Sequence, residues 1–228
     1  VEACPTGAME QLGTPTLLPD LVKELVKDRV YFSKYGGGVT LSGGEPTLQP
    51  RFTHALLTAL KAENLNTALD TCALCSPSVL ADLFPLADLF LVDLKLIDPA
   101  EHVAWTGAPL APILANLRWL AAKIRQMPGH KKLWIRTPLI PAATFTQANL
   151  NGISAFLAAE LSDVVDRWEM CAFNNLCRDK YSRLDMEWQF KSASLMTRAE
   201  LDQAKAWAVS GGFDPQRTFV TGAAKTEE

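Results

Sequence analysis

Short apolar runs alternate with helix-patterned stretches from residue 20 to residue 221, and this rhythm limits the fold more than any other feature. Asp20 to Tyr35 carries Leu21, Leu25, Val26 and Val30 at helical spacing, and Gly36-Gly37-Gly38 ends it. Val39 to Ser42 reads as a strand, Pro50 to Ala62 as a helix, and Thr67 to Thr71 as a strand. Helix, strand, helix and strand follow at Pro77–Leu83, Leu89–Leu94, Ile113–Arg125 and Lys132–Ile140. Gln147–Leu161 is helical, Asp166–Phe173 strand-like and Arg198–Ser210 helical, and Arg217–Thr221 is a candidate last strand. The apolar Leu89–Leu94 run predicts a buried parallel strand. Strands that alternate with helices predict an α/β domain with a parallel sheet. A full (β/α)₈ barrel takes ~250 residues and eight units. The five clear strands in 228 residues therefore suit an open sheet or a partial barrel.

In either architecture the chemistry lies at the carboxyl ends of the strands. Gly43-Gly44-Glu45-Pro46 follows the first strand, and Asp70 and Thr71 end the second. The third runs into Asp93-Leu94-Lys95, the next carries Arg136, and Asn174 and Asn175 follow the strand near Phe173. Each group has a bland reading as a turn, a helix cap or a structural ion pair. Their recurrence at the same end of successive strands favours a site. Paired glycines let backbone approach a ligand. Glu45 suits an ammonium, and Lys95 or Arg136 suits a carboxylate. Asp70 and Asp93 offer hard oxygen ligands for a cation. These groups together suit a ligand with an amino-acid head.

The composition is that of a globular chain, with 48% hydrophobic residues, 21% charged residues and a net charge of −3. It gives no basic patch for nucleic acid and no run of ~20 apolar residues for a membrane span. Neither a nucleic acid nor a membrane is expected as partner, and the expected location is the cytoplasm. His54, His102 and His130 are isolated and read as structural or surface residues. Of five cysteines, Cys72 and Cys75 have pair spacing, whereas Cys171 and Cys177 do not. Zinc or a redox pair is therefore disfavoured, and packed or surface thiols are expected.

The run Gly36-Gly37-Gly38-Val39-Thr40-Leu41-Ser42-Gly43-Gly44-Glu45-Pro46 resembles the activating enzymes of glycyl-radical enzymes. These are the pyruvate formate-lyase activase type of the radical S-adenosylmethionine superfamily. The likeness continues through Leu69-Asp70-Thr71-Cys72, Leu91-Val92-Asp93-Leu94-Lys95 and Thr106-Gly107. It runs on through Trp134-Ile135-Arg136-Thr137-Pro138 and Cys177-Arg178-Asp179-Lys180-Tyr181, covering roughly residues 20–185.

The resemblance implies a partial TIM-type (β/α)₆ barrel that holds a [4Fe-4S] cluster with S-adenosylmethionine on one iron. Reductive cleavage would give a 5′-deoxyadenosyl radical, which takes hydrogen from a glycine of a partner glycyl-radical enzyme. A low-potential flavodoxin or ferredoxin would supply the electron. Gly43, Gly44 and Glu45 would face the methionine amino group, Asp93, Leu94 and Lys95 the methionine and ribose. Arg136 would be a further contact, and Asn174 would lie by the adenine, where such enzymes often have His. Asp70, Thr71, Asp93 and the Leu91 carbonyl resemble a monovalent-cation site. Ala142 stands where Gly often follows Ile-Pro.

The family's C-x₃-C-x₂-C triplet is not in this sequence. Cys4-Pro5 resembles the end of a ferredoxin motif, where Pro follows the last cysteine ligand of a 4Fe-4S cluster. The expectation is a chain that begins inside a ferredoxin-like insert. Residues 1–18 would be its remnant, and residues 19–228 would hold barrel strands 2 to 6, without the first strand and cluster loop. Such a piece would be inactive alone. Self-association through the Val39–Ser42 edge, or cover from residues 1–18, is expected as well. The alternatives are a cluster-free S-adenosylmethionine-binding or partner-docking module, and a Schiff-base barrel enzyme using Lys95.

Overall fold

The computed structural model describes residues 13–225. The first described elements are α1 (Leu18–Val26) and α2 (Arg29–Tyr35). Then come β1 (Val39–Leu41), α3 (Pro50–Ala62), β2 (Thr67–Thr71), α4 (Pro77–Leu83) and β3 (Leu89–Asp93). Next are α5 (Pro99–Thr106), α6 (Ala111–Arg125), β4 (Lys132–Leu139) and α7 (Gln147–Phe156). The order closes with β5 (Val165–Ala172), α8 (Arg178–Arg183), α9 (Arg198–Ser210) and β6 (Thr218–Thr221). Among the described residues, these strands form one six-stranded parallel sheet in the order β1-β2-β3-β4-β5-β6. The α/β class expected from the alternation holds, with an open sheet consistent with a partial barrel. The candidate last strand is β6, which raises the strand count from five to six.

Three differences from the sequence reading have local causes. The first helical stretch is two helices, because Asp28 leaves helical geometry (φ −86°, ψ 6°) and starts α2 afresh. The stretch at 147–161 widens into a π-helical turn over Leu157–Leu161. The third strand is buried on one face only. Phe90 and Val92 are fully buried, while Leu89, Leu91 and Asp93 are half-buried.

That alternation explains the architecture. Leu69, Phe90, Val92, Leu133, Ile135, Trp168 and Met170 point into the layer covered by Leu57, Leu60, Leu80, Leu117 and Leu120 of the helices. The other face carries Asp70, Asp93, Trp134, Arg136, Arg167, Glu169 and Cys171, all partly open. Burying one apolar face of a sheet against helices supplies the core, at ~25 cal/mol per Å² of apolar surface removed from water. The opposite face is left free for polar groups. The edge of β1 pairs with no further strand among the described residues, and a groove beside it is lined by Leu21, Leu25, Phe52 and Leu56.

Two glycines position the first loop. A side chain at Gly38 would overlap the Asn66 carbonyl, so only glycine lets β1 start against the entry to β2. Gly43 has φ +123°, a conformation that favours glycine, and it turns the chain across the strand end. Ala142 has φ 60°. The position after Ile-Pro thus takes a left-handed backbone while carrying a methyl group.

Candidate functional site

At the carboxyl ends of β1 to β5 lies a cavity of about 280 Å³. Gly43, Gly44, Glu45, Asp70, Thr71, Asp93, Lys95 and Arg136 all line it, joined by Ser42, Cys72, Pro138 and Cys171. Parallel register brings them together. Asp93 on β3 is the Cα partner of Arg136 on β4, and Pro138 is the partner of Cys171 on β5.

The charged groups meet as pairs. Lys95 Nζ donates to Asp93 Oδ2 at 2.8 Å, as two residues on one strand face can. Arg136 Nη1 donates to Asp70 Oδ2 at 2.9 Å, and Ser42 Oγ donates to the same oxygen at 3.1 Å. Arg136 Nη2 points at Cys171 Sγ, 3.7 Å away. Burial pulls the Arg136 pKa down, but Cys171 and Asp70 more than offset this and hold the guanidinium charged. Burial pushes the Cys171 thiol up against the opposing pull of Arg136.

Glu45 accepts four hydrogen bonds within the protein. Its Oε1 accepts from the Thr47 amide (3.0 Å), the Thr47 hydroxyl (2.7 Å) and the Thr71 hydroxyl (2.7 Å). Its Oε2 accepts from the Cys72 amide at 2.8 Å. Burial raises its pKa, and the bonds from the Thr47 and Cys72 amides and Thr71 outweigh that, leaving it below the usual carboxylate range. Glu45 therefore ties the loop after β1 to the end of β2, and its Oε2, with one bond made, keeps capacity for a further donor. The tie continues outward. Thr71 Oγ1 accepts from the Ala73 amide, and buried Asn116 donates to the Ala73 and Cys75 carbonyls. On the other side, buried Asn149 donates to the Lys95 carbonyl at 3.0 Å and so fixes the backbone that carries Lys95.

Three expected residues fall outside the cavity. Leu94 is fully buried in the helix-covered layer, because it alternates with Asp93 and Lys95. Leu91 is half-buried and does not line the cavity. Asn174 stands in an adjoining cleft of about 720 Å³, which shares Lys95, Pro138 and Cys171 with the cavity. Stacked rings of Trp105 and Phe190, and of Phe173 and Trp188, wall that cleft. Sequence reading missed Arg167 and Glu169, which lie on the cavity face of β5 four and two residues before Cys171. Period-two alternation was the signal that could have found them.

The residues fit the expected groups unequally. A cluster needs three thiolates around iron. Among the described residues, no group of three or more His, Cys, Asp or Glu can hold a metal ion. Cys4 and the segment to residue 12 lie outside the described residues. The residues expected at a monovalent cation are engaged as well. Arg136 holds Asp70, Lys95 holds Asp93, and Glu45 takes the Thr71 hydroxyl. An amino-acid head fits better. The Arg136 guanidinium makes one short hydrogen bond from its five donors, so most of its capacity faces other groups. Gly43 and Gly44 meet nothing within 4 Å of where a side chain would stand, so backbone there is open to a ligand.

This chain is similar to known proteins. A family model described as the Radical SAM superfamily matches residues 4–145. An isethionate sulfite-lyase activating enzyme of Nitratidesulfovibrio vulgaris is 34% identical over 185 residues, covering 81% of this chain and 58% of that enzyme. A benzylsuccinate synthase activating enzyme of Thauera aromatica is 34% identical, covering 70% and 47%. A pyruvate formate-lyase 2-activating enzyme of Escherichia coli is 29% identical, covering 93% and 70%. The chain thus spans less than two thirds of the first two relatives. Among solved structures, a domain of a pyruvate-formate lyase-activating enzyme from Bacteroides vulgatus aligns with a TM-score of 0.63 at 22% identity. That alignment covers 82% of this chain and 99% of the domain. No helix among the described residues is long and apolar enough to cross a membrane.

Proposed function

This chain belongs to the radical SAM superfamily, and we propose that it is the S-adenosylmethionine-binding barrel portion of an activating enzyme for a glycyl-radical enzyme. The observation that carries the proposal is the convergence of Gly43, Gly44, Asp70, Asp93, Lys95 and Arg136 on one cavity at the strand ends. In the complete reaction, S-adenosylmethionine at a reduced [4Fe-4S] cluster would supply the radical that removes hydrogen from a partner's glycine.

This chain's residues would bind and orient. Carbonyls of Gly43 and Gly44 would accept from the methionine ammonium. Arg136 would take the carboxylate with donors left free by Asp70. The Asp93–Lys95 pair would lie along the ribose, and the cleft that holds Asn174 would receive the adenine. A monovalent cation at Asp70, Thr71 and Asp93 would compete with Arg136 and Lys95. The Schiff-base alternative asks for a free amine, whereas Lys95 is a donor to Asp93.

The partner would be a glycyl-radical enzyme and the electron donor a low-potential flavodoxin or ferredoxin. The open β1 edge is the proposed surface for self-association. The cluster cysteines are not among the described residues, so the test supplies them. The chain is joined to a segment bearing C-x₃-C-x₂-C, reconstituted with iron and sulfide without oxygen, and reduced. Release of 5′-deoxyadenosine is expected, and a cluster-loaded protein that never releases it ends the proposal. Residues 1–228 alone are expected to release none and to bind S-adenosylmethionine weakly.

A further inference from the structure

A ladder of charge and rings runs along the open face of the sheet below the cavity. Arg167 on β5 lies between two rings, its guanidinium carbon 4.0 Å from the Phe219 centroid and 4.9 Å from that of Trp134. Such a sandwich immobilises a guanidinium, whose flat faces stack while its edge stays free to donate. That edge is used, since Arg167 Nη2 donates to Glu169 Oε1 at 2.9 Å. The second oxygen of Glu169, Oε2, stands 3.5 Å from Arg136 Nε. Arg136 in turn reaches Asp70, and Asp70 reaches Ser42.

The end of this ladder is slack. A normal N–H···O bond is about 2.7–3.2 Å long. At 3.5 Å the Arg136 Nε–Glu169 contact is an ion pair without a hydrogen bond, and Arg136 Nε is a buried nitrogen with no hydrogen-bond partner. Arg167 Nε is the other such atom among the described residues. Glu169 itself is only 14% exposed, between two guanidiniums. A buried carboxylate there needs both cations, and both lose freedom to it.

We propose that Glu169 is a positioning residue for Arg136, itself oriented by Arg167 clamped between Trp134 and Phe219. It holds the Nε side of the Arg136 guanidinium against the sheet. The remaining donors are thereby aimed at a carboxylate in the cavity, and the guanidinium keeps a few tenths of an ångström of travel to close on it. The ladder delivers order from β6 and β5 to a group on β4 without touching the ligand. This inference rests on the reading that the cavity takes an amino-acid head.

The first measurement needs no ligand. Arginine side-chain N–H exchange is followed in the isotope-labelled chain, with Arg136 assigned through Arg136→Lys. Glu169→Gln keeps the shape and removes the charge. It is expected to speed Arg136 Nε–H exchange about tenfold or more, and Phe219→Leu to do so by a smaller factor. Glu169→Asp is expected to restore part of the protection. Unchanged Arg136 exchange in Glu169→Gln overturns the proposal. The second measurement compares S-adenosylmethionine with its decarboxylated analogue. Glu169→Gln is expected to cut the preference for the carboxylate-bearing compound roughly tenfold while leaving the analogue's affinity alone. In the Arg136→Met background the same change is expected to do nothing further. Equal weakening of both compounds, or full additivity with Arg136→Met, overturns the proposal. A wild-type chain with no preference refutes the amino-acid-head reading instead, and the exchange result still decides the role of Glu169.

Discussion

The two ends of the sheet use the same residue types to opposite effect. At the amino-terminal end, Asp88 accepts from Lys61 Nζ (2.9 Å), the Thr67 amide (2.8 Å) and the Thr67 hydroxyl (3.1 Å). Beside it, Lys131 donates to the Ala87 carbonyl at 2.7 Å and lies over the Phe84 ring. Asp166 caps the Leu133 amide, and Arg217 donates to the Ser162 and Val165 carbonyls. These charged groups are tied to backbone. At the carboxyl-terminal end, Asp93 pairs with Lys95 and Asp70 with Arg136 around the cavity, with a buried nitrogen left over. Charge bonded to backbone serves stability. Charge bonded only to other side chains is available to a ligand. Glu45 is the exception at the second end, because its bonds go to backbone and hydroxyls.

Substitutions at the two ends should therefore separate stability from binding. Asp88→Ala leaves the buried Thr67 amide without its partner and should cost about 2 kcal/mol in denaturant unfolding, with ligand affinity intact. An equal loss of affinity would break the distinction between the ends. Glu45→Gln should cost about 1–2 kcal/mol at neutral pH, as an end-two residue that behaves like end one. Its folded pKa is lowered, so the unfolded chain binds more protons between the two values. The wild type should thus lose this stability as pH falls from about 4.3 through the lowered folded value, and the Gln variant should lack that component. A wild-type acid limb identical to that of the variant would show Glu45 to be idle.

Ala142→Gly relieves a left-handed alanine and should raise the unfolding midpoint, by roughly 0.5–1 kcal/mol. A loss instead would mean that the methyl group packs usefully. Smallest in stability is Lys95→Met. It should shift unfolding by less than about 0.5 kcal/mol, because its pair with Asp93 is partly solvated. Its effect should appear in calorimetry, as weaker S-adenosylmethionine binding.

Much of this was legible from position along the chain. Asp70, Asp93, Lys95 and Arg136 stand at ends of apolar runs, and parallel pairing carries them to one place. The use of Glu45 was not legible. Its partners are neighbouring Thr47, the Thr71 hydroxyl and the Cys72 amide, the last 27 residues away, and no local pattern announces an amide that needs capping. Leu94 came with the motif around it, and alternation with Asp93 and Lys95 places its side chain in the helix-covered layer. Arg167 and Glu169 were passed over because the strand was read for its apolar face. The break at Asp28 was hidden because apolar spacing continues across it.

The sheet order follows the chain order without exception, each strand pairing beside the one made before it. No strand must be threaded between two that already exist. A chain emerging from a ribosome can therefore add one strand and helix at a time to a growing edge. Because Arg136 is on the fourth strand and its ladder on the fifth and sixth, Asp70, Asp93 and Lys95 would be laid down first. Arg136 would come later, and Arg167, Glu169 and Phe219 last. Binding competence would appear only once β6 has been made, well after the core beneath α3 and α4 has closed.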